Sequence, residues 1–151
     1  MVKGYWNKPE ATAETFVEGG WLRTGDIAKL DDEGFIFITD RAKDMIIRGG
    51  ENVYCVEIEN RLVEHPDVAE AAVVGVPHPR LGEEVKAVVR LEPDTCVTED
   101  ELQAWVGKTL ADFKVPAYVE ITEQLLPRNA AGKVMKDVLR GHGEVRLAET
   151  M

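Results

Sequence analysis

Read as a succession of apolar and polar positions, the chain changes character near Asp40. Ahead of that point the pattern is short and β-like. Glu10 to Phe16, following Pro9, accommodates one or two helical turns, and Trp21 to Thr24 is a brief extended run. Ile27 to Leu30 and Phe35 to Ile38 flank Asp31-Asp32-Glu33-Gly34, which predicts a hairpin. A two-stranded ribbon is marginal in water by itself. Residues 1–39 are therefore expected to be the edge of something larger.

Beyond Asp40 the elements alternate. Met45-Ile46-Ile47 leads into a loop at Gly49-Gly50, and Cys55, Ile58 and Leu62 then recur at i, i+3 and i+7, one buried face of a helix over 56–64. His65-Pro66 should end that helix. Val68 to Val76 and Glu84 to Leu91 are Val- and Ala-rich and predict buried strands, with Pro77-His78-Pro79 and Gly82 as the turn between them. Thr98 and Glu101 form a capping box ahead of the apolar stripe Leu102, Trp105, Val106 and Leu110. Val119 to Ile121 predicts a third strand, and a short helix is expected near Lys136 to Arg140. The expected fold class is α+β, a three-stranded sheet with flanking helices behind a β-hairpin.

Charge narrows the partners. The 151 residues carry 18 Lys+Arg against 28 Asp+Glu, a net charge of −10. Such a surface repels phosphate backbones, so no nucleic acid is expected as partner. With 30% charged residues and no long apolar run, no membrane span is expected either. The two cysteines, Cys55 and Cys96, form no C-x-x-C pair and argue against a disulfide scaffold or a structural metal site. The opening Met1-Val-Lys-Gly-Tyr-Trp lacks the apolar stretch of a secretory signal, and a cytoplasmic location is the expectation. His65, His78 and His142 show no chemical role.

Three loops place glycine beside charge, where backbone can approach a phosphate. In Arg23-Thr24-Gly25-Asp26 a carboxylate just past a strand can accept ribose hydroxyls; taken alone, it can equally cap a turn. Asp40-Arg41-Ala42-Lys43-Asp44, followed by Arg48-Gly49-Gly50-Glu51-Asn52, reads either as a charged junction or as a solvated linker. Pro127-Arg128-Asn129-Ala130-Ala131-Gly132-Lys133 ends on a lysine, and residues 128–140 hold four basic side chains and one acidic in an otherwise acidic chain. A lysine there can act as a mobile point charge on phosphate or on a developing oxyanion. The bland alternative is an exposed basic tail.

Taken in order, these stretches resemble the motifs of the adenylate-forming (ANL) superfamily of acyl-CoA synthetases, nonribosomal-peptide adenylation domains and firefly-type luciferases. Gly4-Tyr5 through Pro9-Glu10-Ala11-Thr12 resembles G-Y-x-x-x-P-E-x-T, and Arg23-Thr24-Gly25-Asp26 resembles R-T-G-D. Asp40-Arg41-Ala42-Lys43-Asp44 with Gly49-Gly50-Glu51-Asn52-Val53 and Glu57-Ile58-Glu59 resembles the hinge motif, and Pro127-Arg128 through Gly132-Lys133 resembles P-R-x-x-x-G-K. Three positions depart from the family habit. Arg48 stands where a small or aliphatic residue is common, Cys55 where proline is frequent, and Ala131 where a hydroxyl is usual. Ile47 stands where luciferases and coumarate-type ligases carry a lysine, which looks more like fatty-acyl-CoA ligases.

The resemblance implies a C-terminal portion of an ATP-dependent fatty-acyl-CoA synthetase. Such an enzyme converts a carboxylic acid, ATP and CoA to acyl-CoA, AMP and pyrophosphate. Residues 1–39 would close the large N-terminal AMP-binding domain, 40–44 form a hinge, 45–141 make the mobile C-terminal domain, and 142–151 a tail. Lys133 would be the catalytic lysine of adenylation. Trp21, Asp26, Arg41 and Asn52 would bind nucleotide, Lys43 would be the pivot, and Gly49 and Gly50 would flank the CoA arm. ATP, Mg2+ (held mainly by the N-terminal domain) and coenzyme A are the implied cofactors. The N-terminal adenylation domain and a fatty acid are the implied partners, and this segment is not expected to be active alone. Two alternatives remain open: an adenylation-domain lid that loads a carrier-protein thiol, and a non-catalytic binding or assembly module.

Overall fold

A computed structural model describes residues 2–141; the expected tail and His142 lie outside the described residues. The chain divides into two compact units, with the boundary between Lys43 and Asp44.

In the first unit, α1 (Pro9–Thr15) starts on a proline, whose fixed φ and missing N–H suit a first helical turn. Strands β1 (Phe16–Val17) and β2 (Trp21–Leu22) pair antiparallel. The predicted hairpin is formed by β3 (Asp26–Leu30) and β4 (Ile36–Arg41). Its turn is organised by the Asp31 carboxylate, which accepts from the Glu33 and Phe35 N–H groups at 3.0 and 2.8 Å. Successive side chains alternate faces along a strand, so Ile36 and Ile38 share one face and Phe37 lies on the other. All three are 56–70% exposed. The ribbon is apolar and open to solvent on both sides.

The second unit holds β5 (Ile46–Arg48), β6 (Glu51–Val53), α2 (Cys55–Val63), β7 (Val68–His78), β8 (Gly82–Leu91), α3 (Glu99–Gly107), β9 (Tyr118–Thr122) and α4 (Lys136–Leu139). The sheet has five strands rather than the three expected. Its order is β6-β5-β8-β7 with β9 also on β8. The hairpin β5–β6 joins β8 through the single pair Arg48↔Gly82, while β9 runs parallel to β8 after the α3 crossover. Strand β7 continues through Pro77 and His78, where the sequence suggested a turn. It lies at the end of the strand order, and proline is tolerated on such an edge.

The two sheet faces are filled differently. Val73, Val85, Ala87 and Val89 meet Cys55, Ile58 and Leu62 of α2 and Leu102 and Val106 of α3 in the main core. A second cluster joins Ala72 and Val88 to Leu126, with Val134 and Leu139 packed against it. Pleat alternation sends Ala72 and Val88 to the face opposite Val73 and Val89, so the 126–139 segment rides on the sheet's other side. The Thr98–Glu101 capping box is present and supplies partners for otherwise orphaned helix N–H groups. Helices α2 and α3 are joined by Trp105: its Nε1 donates to the Arg61 carbonyl at 2.8 Å, and the Arg61 guanidinium stacks 3.8 Å above its ring. Among the described residues no helix is long and apolar enough to cross a membrane.

Candidate functional site

Asp26 opens β3 and Arg41 closes β4, and the register makes them cross-strand partners. Arg41 Nε lies 3.6 Å from Asp26 Oδ1, with both side chains open to solvent. The ends of the pair are secured by local bonds: the Ala42 N–H donates to the Gly25 carbonyl at 2.8 Å, and the Asp26 N–H donates to the Thr24 hydroxyl, Oγ1, at 3.1 Å. Fifteen residues apart in sequence, a carboxylate and a guanidinium thus stand side by side with free faces, the chemistry a vicinal diol requires. Trp21 is on β2 and is 75% exposed.

Lys43 is exposed and is the last residue of the first unit. Asp44, the next residue, is bound within the second unit. Its carbonyl accepts from the Cys55 thiol at 2.9 Å, and its carboxylate lies 3.4 Å from Arg140 Nη2. Cys55, buried, is thereby a tie across the start of α2.

Gly49 and Gly50 are the two central residues of the β5–β6 turn, with φ of +60° and +92°. A two-residue hairpin loop of this hand demands positive φ at both positions, which explains both glycines structurally. The Gly49 N–H donates to the Leu81 carbonyl at 2.8 Å, docking this turn on the β7–β8 turn. Below it, Arg48 Nε donates to the buried Glu84 carboxylate. Asn52 sits on β6, exposed, opposite Ile47.

The loop carrying Lys133 is closed by its own bonds. The Asn129 carboxamide oxygen accepts from the Ala131 and Lys133 N–H groups, both at 3.0 Å, while the Asn129 N–H donates to the Lys133 carbonyl at 2.9 Å. Gly132, at φ +79°, makes the turn. Three of the four basic side chains between 128 and 140 are engaged by carboxylates: Arg128 with Glu70 at 2.6 Å, Lys136 with Glu59 at 2.7 Å, and Arg140 with Asp44 at 3.4 Å. The fourth, Lys133, is exposed and makes no ion pair among the described residues. The basic excess noticed in the sequence therefore resolves into three tethers and one ammonium directed to solvent.

Sequence reasoning missed the carboxylates that receive these tethers. Glu70 is shared by Arg90, at 2.8 Å, and Arg128. The hydrogen bond from Arg128, ahead of that from Arg90, outweighs partial burial and holds the Glu70 carboxyl below its ordinary range. Glu59 Oε1 also accepts from the Val73 N–H at 2.8 Å. Burial opposes the charge on Lys136, but the surrounding Cys55, Glu59 and Asp44 more than offset it and push its ammonium up. The sole sequence signal was the surplus of cations seeking partners. Among the described residues no three His, Cys, Asp or Glu side chains converge on a metal position.

The AMP-binding enzyme C-terminal domain model matches residues 57–133. The chain belongs to this family. A methyl-dioxo-octahydroindenyl-propanoyl:CoA ligase of Rhodococcus jostii is 51% identical over 140 residues, 93% of this chain and 27% of the relative. A long-chain-fatty-acid–CoA ligase of Mycobacterium tuberculosis is 47% identical over 93% of this chain and 27% of its own length. The crystal structure of ATP-bound MatB from Rhodopseudomonas palustris superposes with a TM-score of 0.84 at 43% identity, covering 92% of this chain and 27% of that one. The chain thus spans about a quarter of the length of these relatives. Within the AMP-binding enzyme C-terminal domain match lie Glu59, Glu70, Arg128 and Lys133; Asp26, Arg41 and Lys43 precede it.

Proposed function

We propose that this chain is the C-terminal portion of an ATP-dependent acyl-CoA ligase, with Lys133 as its adenylation lysine. The observation that carries the reading is the anchored 127–135 loop, whose one unpaired cation is that lysine. In the first step a substrate carboxylate oxygen bonds to the α-phosphorus of ATP, the α–β phosphoanhydride bond breaks, and pyrophosphate leaves. The Lys133 ammonium offsets negative charge shared by the attacking carboxylate and the α-phosphate oxygens. A preorganised cation of this kind is worth a few kcal/mol in a water-excluded site, roughly 10²-fold or more in rate. Asp26 and Arg41 hold the ribose hydroxyls, with Trp21 and Asn52 along the nucleotide. ATP and its Mg2+ are held mainly by the N-terminal domain, for which residues 1–39 form the closing edge; the bare apolar faces of β3–β4 support that assignment.

In the second step residues 45–141 turn about Lys43, within a hinge at 40–44. The CoA sulfur, having lost its proton, attacks the acyl carbon, and AMP departs with the electrons of the C–O bond. The side-chain-free turn at Gly49-Gly50 leaves room for the pantetheine arm, and the unit boundary after Lys43 supports the pivot. Two chemistries at one carbon need different groups, and a rotation supplies them in turn. A fatty acid is the acyl substrate we infer, supported by Ile47 and by the resemblance to a long-chain ligase.

The test uses the full-length enzyme. Lys133→Ala should slow acyl-adenylate formation by about 10²-fold or more while sparing thioester formation from supplied adenylate. Equal loss in both half-reactions overturns the reading. Turnover across a series of acid chain lengths checks the acyl class.

A further inference from the structure

The Lys133 loop is fastened to β7 on both of its flanks. On the N-terminal flank Arg128 spans a separation of 58 residues to reach Glu70 on β7 itself, while its Nη1 donates to the Gly132 carbonyl at 2.8 Å. On the C-terminal flank Lys136 pairs with Glu59, whose Oε1 accepts from the Val73 N–H of β7. Between these anchors Asn129 grips Lys133 by its N–H and its carbonyl. These bonds tie the backbone of Lys133 to the sheet, while no ion pair among the described residues holds its ammonium.

Glu70 is the centre of this arrangement. Its side chain is 16% exposed and takes guanidinium donors from Arg90 on Oε1 and from Arg128 on Oε2. Only the second link leads to the loop, since Arg128 alone of the two also bonds Gly132, the residue before Lys133. A guanidinium carrying both bonds fixes direction as well as distance, because its fork is planar.

We propose that Glu70, acting through Arg128, is a positioning residue for Lys133, setting where the ammonium is delivered during adenylation. The inference rests on the assignment of Lys133 above. Removing the Glu70 charge frees the Arg128 end of the loop and enlarges the region its ammonium samples. Because misplacing a reacting group by about 1 Å can cost roughly 10²-fold, the penalty falls on adenylation alone; thiol attack, with Lys133 withdrawn, is untouched.

The experiment measures both half-reactions separately in the full-length enzyme for Glu70→Gln, Arg128→Gln, the double variant and Arg90→Gln. Expected is a loss of at least about tenfold in adenylation for each of the first two, unchanged thioester formation from supplied adenylate, and no further loss in the double variant, since both break one link. Arg90→Gln should leave adenylation unchanged. Equal slowing of both half-reactions, or additive losses in the double variant, overturns the proposal. Arg128→Gln, at a half-exposed position, keeps the test available if Glu70→Gln folds poorly. Lys133→Ala in the same panel separates two failures: if it spares adenylation, the catalytic assignment falls; if it abolishes adenylation while Arg128→Gln does not slow it, only the positioning role falls.

Discussion

Arg48 and Glu84 form an ion pair in which the carboxylate is nearly inaccessible, 5% exposed, and the guanidinium 27% exposed. The same Glu84 oxygen accepts from the Val85 N–H at 3.0 Å. Burial opposes ionisation of Glu84, yet the Arg48 and Val85 hydrogen bonds, with the charges of Arg48 and His78, outweigh it and leave the carboxyl below its ordinary range. Arg48 is raised correspondingly, chiefly by its bond to Glu84.

A pH dependence follows from these directions. A depressed carboxyl stabilises the fold above its unfolded pKa, and that contribution is lost as pH falls through the lower folded value. Glu84 and Glu70 share this sign. Lys136 has the opposite one: its raised ammonium stabilises at neutral pH, and the contribution is lost as pH rises through the folded value. Stability should therefore be level at neutral pH and decline below about pH 4.3 and above about pH 10.4. Urea denaturation across pH 3–7 checks the acid limb. In Glu84→Gln that limb should flatten, with a loss at neutral pH of about 2 kcal/mol.

The β5–β6 turn gives a sharper comparison. An alanine Cβ at Gly50 would meet no atom within 4 Å, whereas at Gly49 it would lie 3.2 Å from Leu81 Cδ2. Gly50→Ala thus isolates backbone strain, and a loss of about 1–2 kcal/mol is expected by chemical denaturation. Gly50→Asn should lose less, because asparagine enters the left-handed region more readily. Equal cost for the two would argue against strain at this turn.

Lys43→Pro addresses the proposed pivot. Proline fixes φ near −65°, so in the full-length enzyme acyl-adenylate formation should persist while overall CoA turnover falls by about tenfold or more. Full turnover in this variant would remove Lys43 from the hinge role.

The sequence was most readable where the signal is local. Cys55, Ile58 and Leu62 follow a single helical period and are all fully buried, and the Thr98–Glu101 capping box forms as its spacing requires. The Asp26–Arg41 pairing was half readable, since the hairpin could be inferred but its register depends on a bulge between Ile27 and Ala28. The parallel placement of β9 against β8 could not be read, because it is set by how α3 packs. Glu59 and Glu70 carry no local motif either; only the fold brings them to Lys136 and Arg128. Pro77 misled for a physical reason, since a breaker in most contexts is harmless on an edge strand.

The β3–β4 ribbon, bare on both faces, has a consequence for handling and for cells alike. Leu30, Phe35 and Ile38 are each at least 60% exposed, a density of sticky surface that invites aggregation and chaperone capture. On the proposed assignment of residues 1–39 to the edge of a larger domain, a proteolytic cut that removed that domain would bare this ribbon and mark the released piece for disposal.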